Sequence, residues 1–456
     1  MKKYFLFSIV FILFGVSSAF SMDPCNLPKY GSMVKKLSLK EAIETALKNN
    51  PDVQKALYDT KSYIAEYDNA VSGFMPEISA YVEYLHGDSP SSYLFKAIDQ
   101  RKLPLDANFN DPGSFDNFET GISAKMRLFN GNRTFNSKKM AKEGVVAGEL
   151  MENEIKNSLI YLVISVWYDI LNANDMVKIA NESATAIEEQ VRIAGIKFKG
   201  GSVLESDLLS LRARFLAAKE NLMEAENRCR IIRARLAMIL GLDPSAEIDA
   251  LKDDFEIKNL PLSYENLVQK AIINSPYLKA VKKQTEIANY QYKIEKGGYL
   301  PTLDLQADYY HDDPDFKFSK ERQNYRVGVV MGVKLFSGFS TSSKIKKADA
   351  LMKKALENER KVLLDIKMQA RKAWFDFELA KERQKVAKLQ KKDAQASFEL
   401  VKRQYEGGSV SITRYLEAEL ARNSASTAER KAFYRIKKIE AKLAETGGNL
   451  FSLFEL

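Results

Sequence analysis

The side chains best suited to chemistry are scarce in this 456-residue chain: two histidines, His86 and His311, and two cysteines, Cys25 and Cys229. Paired imidazoles suit a metal and paired thiols a disulfide, but no carboxylate or cysteine stands at ligand spacing beside either histidine. The Cys25–Cys229 separation in space is not legible from spacing, so a disulfide and two free thiols both stay open. The carboxylates are scattered and no Ser, His and Asp grouping converges, so the sequence offers no catalytic site, no cofactor site and no metal site. The reading is therefore not an enzyme. Lysines and arginines outnumber acids 69 to 60 for a net charge of +9. They are spread along the chain, as at Lys344, Lys346 and Lys347, rather than confined to a patch, which argues against nucleic-acid binding.

What must hold the remaining residues is long and helical. Hydrophobic residues make up 45% and charged ones 28%, enough apolar surface to exclude wholesale disorder. Only 12 prolines occur, none between Asn117 and Asp243 or after Pro314, and such stretches favour very long helices. At the amino terminus, Lys2 and Lys3 precede an apolar run from Tyr4 to Val16 and small residues at Ser17, Ser18, Ala19 and Ser21. That order is a secretory signal peptide over 1–21, cut after Ala19 or Ser21. Its loss lowers the charge to +7, since +9 minus the two lysines is +7.

A repeat organises the mature chain. LSLKEAIETALKNNPDVQKA from Leu37 matches LSYENLVQKAIINSPYLKAV from Leu262 at a displacement of 225, which also pairs Pro76 with Pro301 and His86 with His311. The displacement then becomes 207, pairing Leu128-Phe129-Asn130-Gly131 with Leu335-Phe336-Ser337-Gly338, Trp167 with Trp374 and Gly200–Val203 with Gly407–Val410. The first copy thus carries 18 extra residues between His86 and Phe118, a loop that either folds over its neighbours or stays at the surface. The expected organisation is a first repeat over 22–243, a linker over 244–261, a second repeat over 262–448 and a tail over 449–456. Both tryptophans lie beside apolar positions and are expected to pack.

Within each copy the hydrophobic period switches from two to helical. Ile78, Ala80, Val82 and Tyr84 alternate with polar residues, as do Phe118 to Leu128, Leu303 to Tyr309, and Tyr325 through Val333 to Leu335. Alternation over about ten residues fits both a membrane-barrel strand and a half-buried sheet in a soluble domain. Four strands do not close a membrane barrel, so spanning a bilayer would require several chains. Next, Leu159, Val163, Val166, Ile170, Ala173, Val177, Ala180, Ala184, Ile187, Val191, Ala194 and Phe198 follow a four-three spacing. Leu363, Ile366, Ala370, Ala373, Phe377, Ala380, Ala387, Ala394, Phe398, Val401 and Tyr405 repeat it, interrupted by Gln384 and Lys391. These are coiled-coil seams, and 67 helical residues from Asn132 to Phe198 span roughly 100 Å. The Gly-Gly pairs end the helices and reverse the chain. Shorter helices that stop and restart at Pro51 and Pro276 open each copy.

The ordered set of openings, alternating strands, LFNG and LFSG strand ends and GGSV turns resembles the TolC family of outer-membrane efflux and secretion ducts over essentially the whole mature chain. The resemblance implies an α+β membrane protein. In it, a homotrimer contributes four strands per chain to a twelve-stranded outer-membrane β-barrel, continued by a long α-helical periplasmic barrel. It implies the outer membrane of a Gram-negative bacterium, contact with outer-membrane lipid, and docking onto a periplasmic adaptor (membrane fusion) protein and an inner-membrane pump. The implied function is the passive export duct of a tripartite efflux pump or type I secretion system. An exported coiled-coil structural protein without a pore is the alternative, and the four alternating strands argue against it.

Family ducts close at their helix tips through links between neighbouring hairpins, with acidic rings inside the pore. By position Tyr405 and Asp207 match that closing link, and Glu417 matches an acid of the inner ring. Arg414 stands where the family pattern has another acid, and Val410 where it has a basic link residue. Arg414 and Asp207 are equivalent in the two copies, so an Asp207–Arg414 or Asp207–Tyr405 contact across hairpins is the expected lock. A solvated helix face is the alternative for Arg414 and Glu417. The turns Gly200, Gly201, Ser202, Val203 and Gly407, Gly408, Ser409, Val410 are the expected adaptor-docking positions.

Overall fold

Two turns of chemistry set the first elements. In the computed structural model, which describes residues 35–104, 106, 108–252, 257, 260–261, 263–448 and 450, Ser38 caps a helix in a reciprocal box with Glu41. The helix it opens, α1 (Leu39–Asn49), follows a short strand, β1 (Lys35–Leu37). Asn50 then accepts a hydrogen bond from the Asp52 amide and Pro51 takes the first position of α2 (Pro51–Ser72), so one helix stops and another starts. The expected signal peptide, Cys25 and, apart from Leu450, the tail lie outside the described residues.

The rest of the first half runs β2 (Glu77–Gly87), α3 (Pro90–Asp99), β3 (Phe115–Asn130), α4 (Arg133–Lys199), α5 (Glu205–Ile239) and β4 (Ile248–Ala250). The second half follows with α6 (Tyr264–Asn274), α7 (Pro276–Lys296), β5 (Thr302–Asp313), β6 (Gln323–Gly332), α8 (Ser340–Glu406) and α9 (Ile412–Thr446). The long helices match in length, 67 residues for α4 and α8 and 35 for α5 and α9. No described helix is long and apolar enough to cross a membrane.

Strands β2, β3, β5 and β6 form one antiparallel sheet in that spatial order, leaving β2 and β6 as its edges. The register stacks Ile78, Ala124, Ala307 and Val327 side by side, so the alternating apolar residues share one face. No described element covers that face: Ile78 is 69% and Tyr325 81% exposed. The other face is polar and networked. Asp308 accepts from Ser123 Oγ at 2.7 Å and pairs with Arg326 at 2.9 Å, although it is itself buried. Apolar out and polar in is the inverse of a soluble half-buried sheet. The fourth strand stops at Gly332 rather than running to Leu335, because Gly332 already pairs with Thr302, the first residue of β5.

The extra loop of the first copy is not bare. It carries α3, which lies over the polar face, its Lys96 paired with Glu119 and with Asp312. His86 and His311 sit near the same end of the sheet but are engaged separately. His86 Nδ1 is 2.9 Å from Asp116, and the Ser319 N–H donates to His311 Nε2 at 3.0 Å. Among the described residues no group of three or more His, Cys, Asp and Glu is arranged for a metal.

Both seams are largely buried. Leu159, Val163, Val166, Ile170, Ala173, Ala184, Ile187 and Ala194 on α4, and Ile366, Ala370, Ala373, Ala380, Ala387, Phe398 and Val401 on α8, are closed to solvent. The break at Lys391 has a partner, Glu429 on α9, at 3.0 Å. Midway along, Trp167 is fully buried in the largest core, with Ile43 of α1, Leu236 of α5, Ile248 of β4 and Tyr434 of α9. There β1 and β4 pair in parallel, Lys36 opposite Asp249, two strands too short for any period to announce. Trp374 is half-buried and donates to Glu378 at 3.0 Å.

Each strand-to-helix corner places two successive residues in the left-handed region, Gly131-Asn132 (φ 70° and 62°) and Gly338-Phe339 (φ 59° and 62°). At Gly131 a Cβ would also run into the Gly297 carbonyl and Leu300, whereas at Gly201 (φ 77°) the surrounding space is open. Gly201→Ala should therefore cost about 1 kcal/mol from the dihedral alone, and Gly131→Ala should cost several times more. Thermal denaturation of the two variants checks the ordering; equal losses would show that the corner tolerates the added atom.

Candidate functional site

The far ends of the helix hairpins gather the residues singled out by position. Gly201 and Gly408 (φ 77° and 76°) end α4 and α8 with matching bonds. The Gly201 N–H donates to Phe198 O at 2.9 Å and the Ser202 N–H to Lys197 O at 2.9 Å. Gly408 to Tyr405 (3.1 Å) and Ser409 to Gln404 (2.8 Å) repeat them, satisfying the last carbonyls of each helix. Ser411 caps α9 by accepting from the Arg414 amide, while Leu204, its counterpart, gives α5 no side-chain cap. Leu204 is instead strongly exposed. Val203 and Val410 complete the two turns, Val410 packing against the tip core.

That core joins the two hairpins: Ala194, Leu208 and Leu211 from α4 and α5 meet Phe398, Val401, Ile412, Tyr415 and Ala418 from α8 and α9. Tyr405 leans on it, its ring 5.0 Å from that of Tyr415. Partial burial raises the Tyr405 hydroxyl above the usual phenol range, and the Asp207 carboxylate on the opposite hairpin raises it further. Burial, then Glu419, pushes Tyr415 up to about 12. At neutral pH both are neutral donors. Asp207 and Tyr405 are thus electrostatic neighbours, with no hydrogen bond between them among the described residues. The Arg414 guanidinium turns to Glu417 on its own helix at 3.4 Å, both well exposed, rather than to Asp207.

One residue of this region was invisible to position matching. Glu419 is 2% exposed. It accepts from Ser183 Oγ at 3.1 Å and Asn423 Nδ2 at 3.2 Å, and Asn423 also donates to Ser183 at 2.9 Å. The triad lines a cavity of about 520 Å³ between α4, α5 and α9, with Arg214 and Asn221 on its other wall. Its sequence signal was weak: a glutamate on a helix reads as a solvated face unless its neighbours in space are known. Lower down, Cys229 is buried beside Asn174 and donates to its Oδ1 at 3.2 Å, while Cys25 lies outside the described residues. Asn423→Ala should leave Glu419 under-satisfied at a cost of about 1–3 kcal/mol. Hydrogen exchange should then accelerate in α9 around residue 419, and unchanged protection would mean that the triad does not hold the hairpins together.

Comparison with known proteins accords with this architecture. Residues 42–242 and 267–449 match the family model described as outer membrane efflux protein. Among curated proteins, the alkaline protease secretion protein AprF of Pseudomonas aeruginosa is 21% identical over 323 residues, 70% of this chain and 65% of its own. The outer membrane efflux protein BepC of Brucella suis is 22% identical over 346 residues, 75% of this chain and 70% of its own. The alignments thus span about two thirds of those relatives' lengths. Among solved structures, the CmeC outer membrane channel of Campylobacter jejuni superimposes with a TM-score of 0.79 at 17% identity, covering 90% of this chain and 85% of that one. At that identity the likeness is one of fold. The family match takes in most of the chain and both copies of the repeat, so the chain belongs to the outer membrane efflux protein family, the TolC family its duplicated motifs resemble, and is a protein of the outer membrane.

Proposed function

We propose that three copies of this chain assemble into a passive export duct, the outer-membrane component of a tripartite efflux pump or type I secretion system. The observation that carries this reading is the four-stranded sheet with two unpaired edges and an uncovered apolar face. Three such sheets give twelve strands, enough to close a barrel whose outer surface meets lipid and whose polar surface lines water. Helices of 67 residues, roughly 100 Å long, then carry the lumen across the periplasm. AprF is named for protease secretion and BepC for efflux, and either cargo suits a conduit without chemistry of its own. The two repeats, 22–243 and 262–448, would each supply one strand pair and one long hairpin to the duct, joined by the equatorial linker 244–261.

The partners are a periplasmic adaptor and an energised inner-membrane pump. Adaptor docking falls to the exposed turns Gly200–Val203 and Gly407–Val410, where Leu204 stands out beside them. Closure falls to Asp207 and Tyr405, neighbours on facing hairpins, with the paired Arg414 and Glu417 exposed on the same tip. In the closed duct the Tyr405 hydroxyl would swing from its present electrostatic contact into a hydrogen bond to the Asp207 carboxylate, a link that threefold symmetry would repeat three times.

The test is single-channel conductance of the detergent-extracted protein in a planar bilayer. Asp207→Ala combined with Tyr405→Phe removes three links of about 1 kcal/mol each, so open probability should rise on the order of a hundredfold. A conducting trimer whose leak is unchanged would discard the gate and keep the duct. Folded protein that neither trimerises nor conducts would discard the duct.

A further inference from the structure

The loop found only in the first copy has its own construction. α3 is fastened to the polar face of the sheet along one side. Lys96, whose side chain is 19% exposed, pairs with Glu119 of β3 and with the fully buried Asp312 of β5. The Gln100 amide donates to Asn117 Oδ1 at 2.8 Å, and Asn117 in turn donates to Asp312 at 2.7 Å. Just past α3, Arg101 donates to the Glu321 carbonyl at 2.9 Å, and Asn324 of β6 donates to the Asp99 carbonyl at 3.3 Å. The Tyr93 ring meets Phe115 at 5.7 Å. These contacts reach three of the four strands, so α3 is built onto the inner wall and does not merely cover its rim.

The opposite side of α3 is apolar and has no partner among the described residues. Phe95 is 66% and Ile98 46% exposed, one turn apart and pointing away from the sheet. In an open aqueous lumen that face would be left to water. Size decides what covers it. Twelve strands spaced about 4.8 Å apart and tilted about 40° enclose a ring roughly 24 Å across. Three helices in mutual contact, each about 10 Å wide, need roughly 22 Å. Three α3 helices held to the wall of such a barrel therefore have nowhere to sit but against one another.

Resting on the trimeric duct reading, we propose that α3 is a contact surface for its own copies: Phe95 and Ile98 of three chains meet on the pore axis and form a second closure at the outer mouth, distinct from the helix tips. The same register that turns Lys96 to the wall turns Phe95 to the axis. Cargo leaving the duct has to part these helices, either by yielding at the Phe95 contacts or by breaking the Lys96 pins.

Disulfide trapping tests this in isolated outer membranes. Phe95→Cys, oxidised with copper phenanthroline beside the unsubstituted protein, should give a linked dimer on a non-reducing gel. One bond per trimer joins two of three chains, so about two thirds of the protein should shift. Ile98→Cys, on the same face, provides the measurement if Phe95→Cys does not reach the membrane. Adding Lys96→Met should reduce the yield at least severalfold; an undiminished yield would overturn the pinning role of Lys96. The mass of the extracted protein separates the two levels of the argument. A trimer with no more dimer than the unsubstituted protein would overturn the α3 contact and leave the duct standing, whereas a monomer would remove the duct reading itself.

Discussion

A backbone amide left unpaired in hydrocarbon costs several kcal/mol, and that constraint governs the sheet from which the remaining architecture hangs. β2 and β6 each present one unpaired edge, and the face between them is apolar and uncovered. An unpaired edge is costly in lipid and an uncovered apolar face is costly in water, so a lone chain is at ease in neither. In the proposed trimer the sheet is one component of three, and its polar face turns toward what the joined strands enclose. Asp308, Ser123 and Arg326 already satisfy one another on that side, so the charge is arranged for an interior before an interior exists.

Below the sheet the problem changes from hydrogen bonding to packing. Gly131-Asn132 and Gly338-Phe339 turn strand into helix through successive left-handed residues, a tight corner that leaves no room for slack between the sheet and the long helices. The helices then rely on a narrow seam rich in alanine, which lets backbones approach and leaves most of each helix surface charged. Such a seam is uniform and weakly discriminating. The large side chains are concentrated at the waist, where Trp167 and the β1–β4 pair fix one section of the bundle, and at the tips, where Phe398, Tyr405 and Tyr415 fix another.

Much of this was legible in the residues because two periods and one repeat were. Alternation marked all four strands, and the missing tail of β6 at Val333 and Leu335 was lost only because β5 had run out of partners. The seams, the proline restarts and the Gly-Gly turns rest on local rules, and local rules are what spacing records. The strands β1 and β4, three residues each, carry no period. Helix α3 has no counterpart in the second copy, so self-comparison reported only an excess; Ser89-Pro90 before Tyr93, Leu94, Ala97 and Ile98 was the available signal for a helix start. The burial of Glu419 depends on which helices face each other, and that is a property of the packed bundle, whereas the Arg414–Glu417 pair is a local contact three residues apart on α9.

The matched lengths of the two hairpins bear on how such a chain can change over generations. α4 and α8 reach their turns after 67 residues each, and α5 and α9 return over 35. A single inserted residue in α4 would rotate everything beyond it by about 100° and advance it by about 1.5 Å, pulling Leu208 and Leu211 away from Phe398 and Tyr415. Only whole heptads, gained in both rising helices and both returning ones, preserve the seam and keep the tips level. Surface substitutions are cheap in this architecture while length is nearly frozen, so lineages should diverge freely in sequence and keep their hairpins in step, with novelty admitted at places such as the α3 loop that no second copy has to match.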